Sequence, residues 1–202
     1  MRQTTPTKAE TILLEPFVGL GLESIVVPSN EHAFAEARSE ILRAGMVGFD
    51  TESKPTFAVG EVSTGPHVAQ FATATKAFIF QLSEPHCRPY LDEILASANV
   101  QKVGFGLESD RAQIRKKLGI EVAALVDLNT VFRKQGYRHT AGVRAAVAIV
   151  LNQKFHKSKR VTTTNWSLPH LTPAQLLYAA NDAYAAFRVM ETLRRQPLTA
   201  PG

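Results

Sequence analysis

The sequence has a single cysteine, Cys87, among its 202 residues. One thiol excludes an intrachain disulfide and argues against a zinc site made of thiolates. The six histidines show no metal-ligand pairing such as H-x-x-x-H, so we interpret them as packing or surface residues. The scarcity of cysteine fits a reducing interior, and we expect a cytoplasmic protein.

Long apolar runs are also missing. No run approaches the roughly 18 residues that a membrane-spanning helix requires, so we expect no membrane partner. The first residues are polar and show no signal-peptide pattern. A hydrophobic content of 45% and a charged content of 20% are typical of a globular protein. A chain of this length suits one domain with a substantial core.

The net charge of +5 is distributed unevenly along the chain. Residues 1–100 contain 7 Lys and Arg against 12 Asp and Glu, a net charge of −5. Residues 101–160 contain 13 against 4, a net charge of +9. A basic middle segment indicates a polyanionic partner such as nucleic acid. The alternative is a solvated surface on which the charges are unevenly spread.

Hydrophobic periodicity predicts an α/β fold. The expected strands cover residues 24–27, 46–52, 67–73, 76–82, 101–105 and 125–128, the third and fourth as a hairpin and the last as a strand or a strand-to-helix junction. The expected helices cover residues 31–44, 88–98, 108–118, 129–135, 141–151 and 173–193, with Ser29 or Asn30 capping the first and Thr172 the last. Residues 152–167 are polar and Thr-rich, which predicts a loop.

This order of elements favours one domain with a mixed β-sheet flanked by α-helices. We expect that domain over residues 23–196, a loosely held N-terminal extension over 1–22, and a C-terminal tail over 197–202.

Two acids, Asp50 and Glu52, directly follow the apolar run 46–49. Side chains of a strand alternate, so residues i and i+2 leave the end of the strand on one face. Two anions that close repel each other unless a cation lies between them, and Mg²⁺ and Mn²⁺ prefer such carboxylate oxygens. A solvated strand end with two surface acids is the simpler reading of the pair alone.

Two further acids have helical positions. Asp182 lies in the apolar stretch of the last predicted helix, and Tyr178 is one turn before it on the same face. A core-facing Asp requires a partner or a metal, whereas an Asp on the outer face requires neither. Asp110 follows the strand 101–105 in the first turn of a helix, where the helix dipole favours an acid whatever its function.

The four acids and the tyrosine resemble, in order and spacing, the motif of the DEDD 3′–5′ exonucleases of the Tyr subgroup: Asp50, Glu52, Asp110, Tyr178 and Asp182. The family includes ribonuclease D, the proofreading domain of DNA polymerase I and the exonuclease domain of the Werner syndrome protein, which is most similar. The similar segments are 47–52, 102–110, 164–167 and 171–184. The His subgroup has histidine five residues before the final Asp, where this chain has Leu177.

The resemblance implies a ribonuclease-H-like fold and phosphodiester hydrolysis with two divalent cations, Mg²⁺ or Mn²⁺. It implies that Asp50, Glu52 and Asp182 hold one ion, that Asp50 also contacts the second, and that Asp110 acts on the second through water. Tyr178 would orient the attacking water, because an unperturbed phenol stays protonated at neutral pH. The implied products are nucleoside 5′-monophosphates.

A basic, aromatic segment precedes the last helix and is a candidate for binding nucleic acid: Lys154, Lys157, Lys159, Arg160, Asn165 and Trp166. A solvated loop is the alternative for the lysines, and a packing anchor is the alternative for Trp166. A second basic group at 111–117 would lie on an outer helix face and act through long-range attraction. Ser53 stands where similar exonucleases often have Trp after the D-x-E pair.

Three functions follow from these observations. The leading hypothesis is a metal-dependent 3′–5′ exonuclease acting on nucleic acid, with DNA favoured because the Werner-type segments match best. The alternatives are a 3′–5′ exoribonuclease like ribonuclease D, and a catalytically silent nucleic-acid-binding module. We expect the chain to be a bare catalytic domain, without the extra C-terminal helical domains of ribonuclease D, and we therefore expect that an oligomer or an accessory protein could help it to grip long substrates.

Overall fold

The computed structural model describes residues 4–56, 58, 60–137 and 141–196. Its strands are β1 (Glu15–Pro16), β2 (Ile25–Val26), β3 (Met46–Glu52), β4 (Val68–Ala72), β5 (Ala77–Gln81), β6 (Gln101–Gly104), β7 (Leu125–Asp127) and β8 (Gln153–Lys154). Its helices are α1 (Lys8–Thr11), α2 (Glu31–Ala44), α3 (Cys87–Ala96), α4 (Glu108–Leu118), α5 (Leu128–Lys134), α6 (Val143–Leu151), α7 (Lys159–Thr162) and α8 (Pro173–Arg195).

Six of the strands form one mixed sheet in the order β2-β5-β4-β3-β6-β7. Strands β3, β4 and β5 pair antiparallel, whereas β2 with β5, β3 with β6, and β6 with β7 pair parallel. The predicted hairpin is present, and the Thr73 amide donates to the Lys76 carbonyl at 2.9 Å across its turn. The expectation of a mixed sheet flanked by helices is confirmed.

Helix α8 lies directly against the central strand β3. A Cβ atom on Gly48 would be 1.8 Å from the Ala183 carbonyl oxygen, so only glycine permits this approach. One hydrophobic cluster fills the space between the sheet and α5, α6 and α8, and a second fills the space on the side of α2, α3 and α4. The close approach brings the middle of α8 next to the end of β3.

Local sequence signals fix the predicted helix ends. Asn30 caps α2 by accepting from the Ala33 amide at 3.0 Å, and Gly45 ends that helix with φ of 67°. Thr172 caps α8 in a capping box with Gln175, as the sequence predicts. Among the described residues, no helix combines the length and apolar character that crossing a membrane would need.

The N-terminal stretch differs from expectation. Strand β1 pairs parallel with β8, and the Phe17 ring lies 5.5 Å from the Phe155 ring. The expected loose extension is therefore wrong for residues 15–20, while residues 1–3 lie outside the described part of the chain. The contacts that hold this stretch are more than 130 residues away in sequence, so no local period marks them.

Residues 152–167 were expected to form a loop without regular structure. They contain β8 and the short helix α7, so this expectation is wrong for those two elements. Both elements are short: β8 exists because it pairs with β1, and α7 is a single helical turn. The predicted tail over 197–202 lies outside the described residues.

Candidate active site

Three carboxylates meet where β3 ends against α8. One oxygen from each of Asp50, Glu52 and Asp182 lies within 4.8 Å of the other two. Glu52 and Asp182 are buried, with 8% and 5% of their surface exposed, and Asp50 is half-buried. The i, i+2 spacing on β3 and the close packing of α8 together produce the cluster, so the convergence predicted for these three acids is confirmed.

Burial and mutual repulsion shift the pKa values of the cluster upward. Burial, followed by the charge of Asp182, raises the pKa of Glu52 to about 8. Burial and the neighbouring acids Asp182, Asp110 and Glu52 raise the pKa of Asp50 well above its usual range. A cation among these carboxylates would offset their repulsion and lower their pKa values.

Asp110 lies next to these three carboxylates, on the first turn of α4. It is 9% exposed, and burial raises its pKa. The hydroxyl of Thr51, the residue between Asp50 and Glu52, donates a hydrogen bond to Asp110 Oδ1. The middle residue of the D-x-E motif therefore holds the fourth acid, a role that the sequence analysis did not assign.

Tyr178 is half-buried one turn before Asp182. Its hydroxyl shares a 2.8 Å hydrogen bond with the Thr162 hydroxyl of α7. Burial and the charge of Asp182 raise the pKa of the phenol, so Tyr178 is protonated at neutral pH. A neutral phenol can donate a hydrogen bond but is not available as a base.

Lys157 points into the acidic cluster. Its ammonium donates to Asp182 Oδ2 and lies 5.4 Å from the centre of the Tyr178 ring. Burial opposes its charge, but the Asp182 carboxylate outweighs burial and raises the pKa of Lys157. Sequence reasoning singled out Lys157 for contact with a nucleic-acid backbone along a loop, whereas the structure brings its ammonium to the carboxylate of Asp182.

The other predicted contact residues are arranged differently. Lys154 Nζ donates to the Ile12 carbonyl at 3.1 Å and so helps to hold the N-terminal stretch. Lys159 and Arg160 are exposed on α7, where they can contact a phosphate backbone. Asn165 is exposed, and its side-chain oxygen accepts from the Ser167 amide at 3.0 Å.

Trp166 does not offer its ring to a base. Its exposure is only 1%, its ring lies 5.9 Å from the Tyr178 ring, and its indole N–H donates to the Thr162 carbonyl at 3.4 Å. The prediction that Trp166 binds nucleic acid is wrong, and the packing alternative is confirmed. The Trp166 ring packs against the Tyr178 ring, and its indole N–H anchors α7 at Thr162.

The second basic group occupies the outer face of α4, as expected. Arg111 and Arg115 contact the Glu121 carboxylate at 3.0 and 3.1 Å. Lys117 Nζ donates to the carbonyls of Thr64 and Pro66 at 2.8 and 2.7 Å. These contacts attach α4, which carries Asp110, to residues 64–66 and to Glu121.

Ser53 links the exit of β3 to α4. Its hydroxyl donates to Gln113 Oε1 at 2.8 Å, and a Cβ atom on Gly65 would lie 2.0 Å from the same hydroxyl. The space next to Glu52 is therefore filled by a small side chain and a closely approaching backbone. A large ring at position 53 would not fit this arrangement.

Comparison with known proteins identifies the family. A 3′–5′ exonuclease family model matches residues 25–197, which include the four acids and Tyr178. The chain belongs to this family.

Two relatives illustrate the similarity of the chain to known members of the family. It is 29% identical over 150 residues to the mouse bifunctional 3′–5′ exonuclease/ATP-dependent helicase WRN, covering 73% of this chain and 11% of the relative. It is 25% identical over 161 residues to an Arabidopsis thaliana 3′–5′ exonuclease, covering 77% of this chain and 55% of the relative. The chain thus spans about a tenth and about half of their lengths.

Solved structures share the fold. The Aedes aegypti Nibbler EXO domain has a TM-score of 0.74 at 21% identity, with 89% of this chain and 91% of that chain covered. Escherichia coli RNase D has a TM-score of 0.73 at 17% identity, with 85% and 44% covered. Trypanosoma brucei RNase D in complex with RNA U12 has a TM-score of 0.75 at 17% identity, with 88% and 64% covered. The ribonuclease-H-like fold class expected from the sequence is confirmed.

Proposed function

We propose that this member of the family is an active, metal-dependent 3′–5′ exonuclease that releases nucleoside 5′-monophosphates. The observation that supports this most directly is the convergence of Asp50, Glu52 and Asp182 within 4.8 Å. A silent nucleic-acid-binding module would have no use for three converging anions, because their repulsion destabilises the fold.

The donor set fits hard divalent cations. Asp50, Glu52 and Asp182 present carboxylate oxygens, which are the ligands that Mg²⁺ and Mn²⁺ prefer. We propose that these residues hold the first ion, that Asp50 also contacts the second, and that Asp110 acts near the second. Bound there, divalent ions lower the pKa of a coordinated water and stabilise charge on the leaving oxygen.

The protein side chains would position the substrate and the water. Tyr178, kept protonated by its environment, would donate a hydrogen bond that orients the attacking water. Lys157, whose ammonium contacts Asp182 and lies over the Tyr178 ring, would also contact the incoming phosphate. Two contacts would hold Tyr178 in place: ring packing with Trp166 and the hydrogen bond with the Thr162 hydroxyl.

We propose DNA as the preferred substrate because the four segments that carry the resemblance match the Werner-type exonucleases best. The alternative is RNA, which the similarity in fold to ribonuclease D supports, including the structure that contains RNA U12. Both alternatives require a nucleic acid with a free 3′ end.

The test uses 3′- and 5′-labelled DNA and RNA oligonucleotides with Mg²⁺ or Mn²⁺. We expect a ladder that shortens from the 3′ end, that EDTA abolishes, and that Asp182→Asn reduces by at least about a thousandfold. Asp92→Asn, a surface acid paired with Arg88, is the matched control and should retain activity. Tight binding without cleavage by the wild type would favour the silent module instead.

We also propose a reducing cellular setting. Cys87 is free and buried, and burial raises the pKa of its thiol to about 12, as expected for an inert thiol. We keep a cytoplasmic location, a domain over residues 23–196, and help from an oligomer or accessory protein as predictions.

A further inference from the structure

A cleft of about 450 Å³ lies between the N-terminal stretch and α8, and it opens onto Tyr178 and Asp182. We propose that this cleft is a base-binding subsite, which accepts a nucleobase of the strand next to the phosphodiester bond that is cleaved. The proposal rests on the proposed nuclease function and adds a contact that the carboxylate motif does not include.

The cleft has apolar walls. Phe17 and Leu20 form the wall on the side of the N-terminal stretch, and Val161 and Leu177 form the wall on the side of α7 and α8. Phe155 also lines the cleft, with its ring 5.5 Å from the Phe17 ring. A volume of this size is within the range of small-molecule pockets, and apolar and aromatic walls suit a base more than a sugar or a phosphate.

The N-terminal wall is held rigidly. Asn181, the neighbour of Asp182, accepts from the Leu20 amide at 2.6 Å and donates to the Leu20 carbonyl at 3.0 Å. A Cβ atom on Gly19 would be 2.1 Å from the Asn181 amide oxygen, so the chain passes close to α8 here. The wall is thereby fixed to the same turn of α8 that carries Asp182.

The surroundings of the cleft favour nucleic acid over an apolar peptide. Its mouth adjoins the proposed catalytic residues, and its rim carries Lys154, His156 and Ser158. Lys157 and Lys159 line the adjacent depression on the same side. A strand whose phosphate lies at the carboxylates would have its neighbouring phosphates near these cations, while a base enters the apolar interior.

The test uses a substitution that fills the cleft with a large side chain at its exposed edge. Ala174 is exposed in the first turn of α8 and lines the cleft, so Ala174→Trp would occupy the space without disturbing the buried core. Ala96→Trp, at the exposed end of α3, is the matched control. Oligothymidylate or oligouridylate is used, whichever the wild-type protein degrades faster, and single abasic sites are placed at the last or the penultimate nucleotide.

Binding is measured by fluorescence anisotropy with Mg²⁺ in an Asp50→Asn background, which prevents cleavage. We expect removal of one base to weaken binding by about tenfold. In Ala174→Trp, the intact strand should bind as weakly as that abasic strand, and removing the base should have no further effect. In Ala96→Trp, the tenfold difference should persist. The position of the sensitive base shows whether the terminal or the penultimate base enters the cleft.

The kinetic readout distinguishes binding from chemistry. For the kinetics, Ala174→Trp is made in the protein that retains Asp50 and can cleave its substrate. It should raise KM for the oligonucleotide by about tenfold with little change in kcat, because the cleft binds a base without taking part in the reaction. The proposal is overturned if removing a base weakens binding by the same factor in Ala174→Trp as in the wild type. It is also overturned if Ala174→Trp lowers kcat and leaves KM unchanged.

The two proposals fail differently. If the nuclease assignment is wrong, the wild-type protein produces no ladder from either DNA or RNA. If only the subsite is wrong, the wild-type protein produces the ladder, and Ala174→Trp degrades intact oligonucleotides with the KM of the control.

Discussion

The Lys157 ammonium donates a hydrogen bond to the buried carboxylate of Asp182, 25 residues further along the chain. The side chain of Lys157 is 32% exposed, whereas the side chain of Asp182 is 4% exposed. Among the described residues, this lysine is the one whose positive charge forms an ion pair with an acid of the cluster. It therefore connects the stability of the fold to the occupancy of the proposed metal site.

The first prediction concerns that ion pair. Lys157→Met should lower the free energy of unfolding in EDTA by about 2 kcal/mol, because Asp182 is left buried without its partner. Urea unfolding at neutral pH measures the change. Asp182→Asn should largely cancel the effect in the double variant, and strict additivity of the two single changes would contradict the proposed coupling.

The second prediction concerns pH in the absence of metal. The folded-state pKa of Glu52 is about 8, above its value of 4.5 in an unfolded chain. The unfolded state therefore loses its proton first, and folding stability should fall as the pH rises from about 4.5 to about 8. The raised pKa of Asp50 acts in the same direction.

Thermal unfolding in EDTA should show this as a fall in Tm of roughly 5–10 °C between pH 5 and pH 8. Mg²⁺ or Mn²⁺ should reverse much of it at pH 8, because a ligand of the folded state stabilises that state. Glu52→Gln should flatten the pH dependence, whereas Glu36→Gln on the exposed face of α2 should leave it unchanged. A Tm that rises over this pH range in EDTA would contradict the burial of these carboxylates.

The third prediction concerns Thr51. Its hydroxyl holds Asp110, so Thr51→Val should displace that carboxylate while preserving the shape of the strand. We expect about a tenfold loss of kcat and a higher Mn²⁺ concentration for half-maximal activity. Isothermal titration with Mn²⁺ provides a readout that is independent of turnover. Thr51→Ser keeps the donor and should behave as the wild type; equal defects in both variants would indicate a packing role only.

The acidic cluster could be predicted because its geometry follows from two local periods. Alternation along β3 places Asp50 and Glu52 together, and the helical repeat places Tyr178 one turn from Asp182. That these pairs meet depends on α8 crossing β3 at Gly48, and the resemblance to a family supplied that long-range information. Local pattern alone leaves each acid with a plausible surface role.

The surroundings of the cluster could not be predicted because they depend on contacts between distant residues. Asn181 bonds to Leu20 across 161 residues, and no local pattern in residues 15–20 indicates such an anchor. Trp166 lies in a basic, Thr-rich segment that resembles an exposed loop. It is buried because Gln175 Nε2 donates to Thr164 Oγ1 and to the Asn165 carbonyl, each at 3.1 Å, which draws this segment onto α8.

The fourth prediction concerns the approach of α8 to β3. Gly48→Ala would place a methyl group 1.8 Å from the Ala183 carbonyl oxygen, so the helix must move away from the strand. We expect a loss of about 3 kcal/mol in the free energy of unfolding, measured in urea. Because Asp182 moves with the helix, the affinity of the protein for Mn²⁺ should fall as well.

Gly142→Ala, where no atom lies within 4 Å of the added carbon, is the control: it should leave Mn²⁺ affinity unchanged and, because Gly142 is the N-cap of α6, lower the free energy of unfolding by no more than about 1 kcal/mol. Unchanged Mn²⁺ affinity in a destabilised Gly48→Ala protein would show that the carboxylates do not depend on this packing.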